Sequence, residues 1–266
     1  MSNLIKVTRK ELDNLIKIKG NIRDIDVSYI TDMSYLFSNV NFNDWKDQSL
    51  CDITNWDVGN VKDMSGMFNY AEIFNQPIGG WNVGNVKDMS GMFNCAKIFN
   101  QPIKGWNVGN VKDMSWMFYN AKTFNQPIEG WNVSNVKDMS GMFYSAETFN
   151  QPIEGWNVSN VKDMSRMFYN AKIFNQPIEG WNVSNVKDMS GMFDYAETFN
   201  QPISWLIESG NQRLNYGVNQ QFNNPTMNAF QKFQWKSQRL NYGVNQQFNN
   251  PTMNAFQKFQ WKSQYQ

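Results

Sequence analysis

The sequence predicts an α/β fold, a solenoid of about seven stacked strand-turn-helix coils with a parallel sheet on one face and an N-terminal capping helix. Three observations predict it. A 25-residue unit recurs from Trp56 to Ile203, with the indole at Trp56, Trp81, Trp106, Trp131, Trp156 and Trp181. Each indole is followed by the same apolar series: Val at +2 and +5, Met at +8 and +11, Phe at +12, Ala at +15, Phe at +18 and Ile at +22. Within each unit the apolar spacing changes from alternation to threes and fours, the signature of a strand followed by a helix. A unit this short cannot bury its own apolar face, so successive units must stack and share a core.

The elements follow in order. Residues 1–21 read as a cap: Thr8 and Glu11 form a capping-box pattern, Leu12, Leu15 and Ile16 supply an apolar face, and Gly20 marks a stop. Residues 22–208 read as the solenoid. Its first coil is divergent, with Ile22, Ile25, Val27, Ile30, Met33, Leu36 and Phe37 reproducing the spacing of Ile128 through Phe143. Ile22 to Ile53 is six residues longer than the later coils, and the surplus around Asn43–Cys51 is expected to emerge as a loop. In a typical coil, Ile128, Trp131 and Val133 fit a short strand. Val136, Met139, Met142, Phe143 and Ala146 fit a helical stripe of about three turns, with Ser134 or Asn135 as its cap and Asp138 near its positive end. FNQP closes the coil, since proline holds the preceding residue extended. The Trp, Met and Phe positions become buried ladders, and the FNQP asparagines, Asn75 through Asn200, are expected to satisfy backbone groups in their own turn or the neighbouring coil.

Comparing the coils with one another marks the surface. Position 66 and its equivalents read Gly66, Gly91, Trp116, Gly141, Arg166 and Gly191, and the pair after Phe68 varies freely, so both are expected to be exposed. Glu72, Lys97, Lys122, Glu147, Lys172 and Glu197 put opposite charges on neighbouring coils in four of five steps. Glu129, Glu154 and Glu179 stack like charge on like and are candidate contacts for a cationic partner, as Trp116 and Arg166 are for a protein partner.

Chemistry is scarce. The chain has no histidine, and near-identical coils single out no constellation of nucleophile, base and oxyanion donors, so no enzyme and no cofactor are expected. The recurrent KDMS offers one Asp per coil beside a Lys, which fits capping better than a calcium ladder. Cys51 and Cys95 lack metal-ligand spacing and exclude a disulfide framework. No apolar run has the length of a membrane span. The N-terminal stretch has no signal-peptide pattern, so an intracellular or virion-associated location is expected, with the cell surface as the alternative.

WNVSNVKDMSGMF followed by AETFNQPI resembles the BspA-type leucine-rich surface repeats, a mycoplasma-type 25-residue repeat also found in other bacteria, protists and large DNA viruses. The likeness covers about residues 22–203. It implies a leucine-rich-repeat-like solenoid used for binding or adhesion, with no catalytic residues to carry over.

The pattern fails after Ile203, and residues 209–266 form a tail in which RLNYGVNQQFNNPTMNAFQKFQWKSQ occurs twice without change. Six basic residues, Arg213, Lys232, Lys236, Arg239, Lys258 and Lys262, lie there with no acid after Glu208. Taking those six from the 24 basic residues leaves 18 against 23 acids, so the repeats carry about −5 and the tail +6. The tail fits a cap on the last coil, a flexible anchor for an acidic surface or nucleic acid, or a low-complexity segment. Together these features lead to the expectation of a non-enzymatic interaction or structural repeat protein with a macromolecular partner. The alternative is a component of a larger particle, such as a virion, held by its basic aromatic tail.

Overall fold

A computed structural model of the protein describes residues 4–202; the tail, with its six basic candidates, lies outside the described residues. The N-terminal cap forms as its sequence dictates. Helix α1 spans Arg9–Lys17, and Thr8 and Glu11 close a full capping box at its start. Leu12 and Ile16 are buried against the first repeat. The helix ends before Gly20, at Ile18, and Lys19 turns the chain in the left-handed region (φ 58°). Strand β1 (Ile5–Lys6) pairs in parallel with β2 (Ile25–Asp26), a contact the sequence pattern does not announce.

Strand-turn-helix coils do not form. The described residues hold the single helix α1, this two-stranded sheet and two short 3-10 turns, so the predicted α/β solenoid of strand-turn-helix coils with a leucine-rich-repeat-like sheet is corrected. Each 25-residue unit is instead a succession of turns, and the hydrogen bonds explain why. In the predicted helix over 136–146, an α-helix would send each N–H to the carbonyl four residues back. Here the Met142, Tyr144 and Ala146 N–H groups close three-residue turns onto Met139, Gly141 and Phe143 (3.2, 3.0 and 3.1 Å). The intervening Met139, Gly141, Phe143 and Ser145 N–H groups donate instead to Asp163, Ser165, Met167 and Tyr169 of the next repeat (2.8–2.9 Å). Gly141 (φ 58°) and Ser145 (φ 53°) are left-handed, a conformation no α-helix continues through.

The predicted strand around Trp131 is likewise a pair of turns, Trp131 N–H to Ile128 carbonyl (3.1 Å) and Val136 N–H to Val133 carbonyl (3.0 Å). Regular parallel pairing between repeats shrinks to single-residue bridges at Asp32, Asp63, Asp88, Asp113, Asp138, Asp163 and Asp188. On the Trp side, side chains join the repeats. The Trp131 indole N–H donates to the Ile103 carbonyl of the preceding repeat (3.3 Å), and every indole from Trp56 to Trp181 makes the equivalent bond. Asn135 does not cap a helix; its side-chain amide donates to the Gly109 carbonyl (2.7 Å). The FNQP asparagine reaches the neighbouring repeat, as expected: Asn125 Oδ1 accepts the Asn150 N–H (2.9 Å) and the Gln151 amide (3.1 Å).

Between these two linked faces lies a continuous core of Trp, Val, Met, Phe, Ala and Ile ladders. Phe143 stacks on Phe149 within its own repeat (3.9 Å between centroids) and on Phe118 and Phe168 of its neighbours (5.6 and 5.7 Å). The Phe149 ladder is slightly wider, at 6.1 Å to Phe124 and 6.0 Å to Phe174.

The insertion in the first repeat keeps residues 43, 44 and 46–49 exposed, as expected of a surface loop, but it is anchored. Its two short turns, Phe42–Asp44 and Gln48–Cys51, send Phe42 inward, tilted against Phe37 and Phe74 (5.2 and 5.1 Å). Trp45 is buried, and its indole donates to the Gly20 carbonyl (2.9 Å). The first repeat has no predecessor to bond its outer carbonyls, and α1 supplies the substitute. The Arg9 guanidinium donates to the carbonyls of Asp32 and Ser34 (3.0 and 2.8 Å), whose equivalents elsewhere accept from the repeat before.

Trp131→Ala should lower stability by about 3–5 kcal/mol, because a buried ring is lost and the Ile103 carbonyl, which keeps the Trp106 N–H, loses its second donor. Trp131→Phe keeps most of the ring and should cost about 0.5–1.5 kcal/mol for the lost indole bond. Urea unfolding of the two variants separates these terms, and equal losses would deny the indole bond a role.

Candidate functional site

The backbone-bonded arc of each repeat turns its apolar residues inward in pairs and leaves positions 66, 69 and 70 and their equivalents outside that core, though not all are exposed as expected: Gly66, Gly141, Gly191, Cys95 and Asp194 are buried. Position 66 and position 70 are left-handed in every repeat, from Tyr35 and Asn39 to Gly191 and Tyr195. Glycine at four of those seven 66-type positions therefore answers a backbone demand and not the expected exposure, since Gly66, Gly141 and Gly191 are buried and Gly91 is half-buried. Where the side chain is large it lies across the next repeat: Tyr35 over Gly66, Trp116 over Gly141, Arg166 over Gly191. A Cβ built on Gly141 would stand 2.5 Å from the Trp116 ring. Large residues here are each followed by glycine because the following backbone is the surface they lie on.

The 69 and 70 positions carry tyrosine in turn, and with Trp116 they make an aromatic strip. Trp116 contacts Tyr119 and Tyr144 (5.5 and 5.9 Å), Tyr119 contacts Tyr144 (4.8 Å), Tyr144 stacks on Tyr169 (4.4 Å), and Tyr169 meets Tyr195 (5.1 Å). Tyr35, Tyr70 and Tyr195 are about half exposed or more, at 60%, 49% and 48%. Burial pushes the Tyr169 hydroxyl up to about 12, helped by Tyr144, Tyr195 and Asp194. Tyr119 is raised for the same first reason. Sequence comparison saw only free variation at the pair after Phe68; the signal it passed over is that tyrosine moves between the two positions, as in Tyr70, Tyr119, Tyr144, Tyr169 and Tyr195.

Two buried polar atoms of this face have no hydrogen-bond partner, Asn94 Oδ1 and Asp194 Oδ1. They occupy the same register, a site of tyrosine in three repeats between them. Burial raises Asp194 to about 6, against the opposing pull of Arg166.

The other predicted residues are dispersed. Arg166 is exposed on the aromatic face, two repeats from the half-buried Trp116. Glu129, Glu154 and Glu179 lie exposed in the Ile-x-x-Trp turns. Glu129 is not an unrelieved charge: Lys104, at the same register one repeat earlier, pairs with it at 3.0 Å and holds its carboxyl below the usual range. Glu154 and Glu179 have no ion-pair partner among the described residues. Of the four opposite-charge steps in the other series, three are ion pairs: Lys97–Glu72 (2.7 Å), Lys122–Glu147 (3.2 Å) and Lys172–Glu147 (2.9 Å). The KDMS aspartates do not cap helices. Each Oδ1 accepts the N–H of the serine two residues on, as Asp138 does from Ser140 (2.8 Å). Among the described residues no group of Cys, Asp and Glu is placed to hold a metal ion, and both cysteines are free and buried. No helix of the described residues is long and apolar enough to cross a membrane.

The repeat that builds this face also places the chain among known sequences. The DUF285 family, described as a Mycoplasma protein of unknown function, matches over residues 6–125, 31–150 and 124–229. The chain belongs to this family. No curated protein matches it, and no solved structure does. In this DUF285 chain the match runs through every described repeat and through the arc that carries the aromatic strip.

Two outcomes follow from this geometry. Gly141→Ala meets both the left-handed backbone and the Trp116 ring, and should cost more than Gly91→Ala, which meets only the first penalty of about 1–2 kcal/mol. Adding Trp116→Gly should return Gly141→Ala to the Gly91→Ala level; additivity in that double-mutant cycle would disprove the overlay. Asp194 keeps its proton in the folded chain between about pH 4 and 6 while the unfolded chain releases it. Its contribution therefore weakens the fold as pH rises through that window, by up to about 3 kcal/mol. Asp194→Asn should leave the melting temperature unchanged near pH 4 and raise it above wild type at pH 7.5; equal melting temperatures at both would remove the buried charge from the account.

Proposed function

We propose that this protein is a non-enzymatic binding module whose aromatic face, from Tyr35 to Tyr195, engages a macromolecular partner, most directly another protein. The observation that carries the reading is the strip itself: tyrosine and tryptophan set on a rigid arc, partly exposed, beside buried acceptors with no partner of their own. Aromatic side chains with two rotatable bonds give large contact area for little lost entropy, which is why they dominate binding surfaces. Positions that vary against an otherwise repeated frame add support, because the frame bears the fold and leaves them free. The likeness of the repeat to BspA-type surface repeats supports binding over catalysis.

The charge division of the sequence favours a second reading, in which the basic tail anchors the repeats to an acidic surface or nucleic acid inside a larger particle. Truncation after Gly210, with salt varied and nuclease added, separates that anchor from recognition by the repeats.

The test of the main reading uses Tyr119→Asn, Tyr144→Asn and Tyr169→Asn together, asparagine being the resident at the same register in Asn69 and Asn94. The full chain should capture a partner from its native source, and the triple variant should lose it with little change in melting temperature. Equal capture by both would place recognition elsewhere.

A further inference from the structure

One stretch of the aromatic face differs from the rest. Everywhere else a large residue at the 66-type position alternates with a single glycine, but Gly66 and Gly91 follow one another. Tyr35 covers Gly66, while nothing covers Gly91, where an added Cβ would meet only Asn94 at 3.8 Å. The result is a trough of about 330 Å³ with Tyr35 at one end, Trp116 at the other and Tyr70 beside it.

The polar groups of this trough have a definite hydrogen-bonding character. Ser90 and Ser115 each donate their hydroxyl proton to an aspartate, Asp88 and Asp113, at 2.7 Å. Both serines line the trough, and a hydroxyl committed to its aspartate has only lone pairs left to offer a ligand. The Asn94 side-chain oxygen, Oδ1, is buried without any donor, and the side-chain amides of Asn69 and Asn94 add N–H donors to the lining. No charged side chain lines the space. The trough is thus lined by uncharged hydroxyl and amide groups that both accept and donate, and is bounded by aromatic rings, so a fitting occupant brings hydroxyls that do both and an apolar C–H face. A charged ligand finds no counter-charge. The complementary chemistry is that of a neutral pyranose, whose hydroxyls donate at its edge and whose ring C–H groups lie on an aromatic face.

We propose that the trough over Gly91 is a saccharide subsite, with Trp116, Tyr35 and Tyr70 as its aromatic walls, Ser90 and Ser115 as acceptors for sugar hydroxyls and the Asn69 and Asn94 amides as further polar partners. This rests on the binding-module reading and names a ligand class for one part of the same face.

The experiment is a titration of the full chain with neutral sugars (maltose, cellobiose and lactose, then longer oligosaccharides of the best of them), followed by calorimetry and tryptophan fluorescence. The variants are Trp116→Gly and Asn94→Tyr, each the resident of the same register in other repeats, such as Gly141 and Tyr119, so each is compatible with the fold. Saturable binding is expected, weakened about tenfold or more by either variant. Thermal melts confirm that both variants are folded. Absence of saturation by every neutral sugar, affinity unchanged in both variants, or binding of charged sugars alone would overturn the proposal. Should sugars fail while the Tyr119, Tyr144 and Tyr169 variant still loses its partner, the saccharide subsite falls and the wider reading stands.

Discussion

Along the Met–Phe arc every second backbone N–H leaves its own repeat, and the rest of the structure depends on that alternation. Met139, Gly141, Phe143 and Ser145 give their protons to the next repeat, and the residues between them close turns onto their own. All of these donors are thereby satisfied without helix or extended strand, which buried backbone requires. The same alternation forces left-handed residues at two fixed places per repeat, and these set which side chains face out. It also leaves the first repeat with carbonyls that need a donor, a demand that Arg9 meets from outside the repeats.

Much of this was legible, and the part that was not has a physical reason. Periodicity located the buried positions correctly: Trp131, Val133, Val136, Met139, Met142, Phe143, Ala146 and Phe149 are all within 3% of full burial. The capping box and the asparagine ladder were legible because each is a short-range demand with few chemical solutions. The element type was not. Apolar residues three apart satisfy a helical stripe and a chain of three-residue turns equally well, since both place i and i+3 on one side. The deciding signal was glycine in the middle of the supposed stripe, at Gly66, Gly91, Gly141 and Gly191, which costs a helix about 1 kcal/mol at each occurrence and gives a left-handed turn its natural residue. Reading that glycine only as exposure hid the turn. The Trp-x-Val alternation misled in the same way, because the indole N–H performs the inter-repeat bonding that a strand would have done through its backbone.

The surface was harder to read than the core because its rule acts between repeats. Trp116 and Arg166 look like free variants along the chain, yet each lies over a glycine one repeat later, so the unit of variation is a pair. The stacked glutamates show the complementary case. Glu129 is relieved by Lys104 at the same register, a pairing visible only when the column is read from its start and not from its like-charged end.

This division between frame and face has a consequence for how such a protein recognises anything. The core ladders and backbone bonds repeat almost without change, so altering a 69- or 70-type residue disturbs neither. A change at a 66-type position is tolerated if the next repeat keeps its glycine. Recognition can then be written as an order of residues along the stack, with each repeat offering a tyrosine, an amide, a large ring or an open glycine at a fixed spacing. The two adjacent glycines between Tyr35 and Trp116 are one such word, a gap where the alternation is suspended. The Asp194 carboxyl is another, a charge set where three other repeats have tyrosine and held near pH 6 by its burial. Because backbone bonds and core ladders tie each repeat to the next, these features are held at set distances by the frame itself, and a partner that meets them has less ordering entropy to overcome.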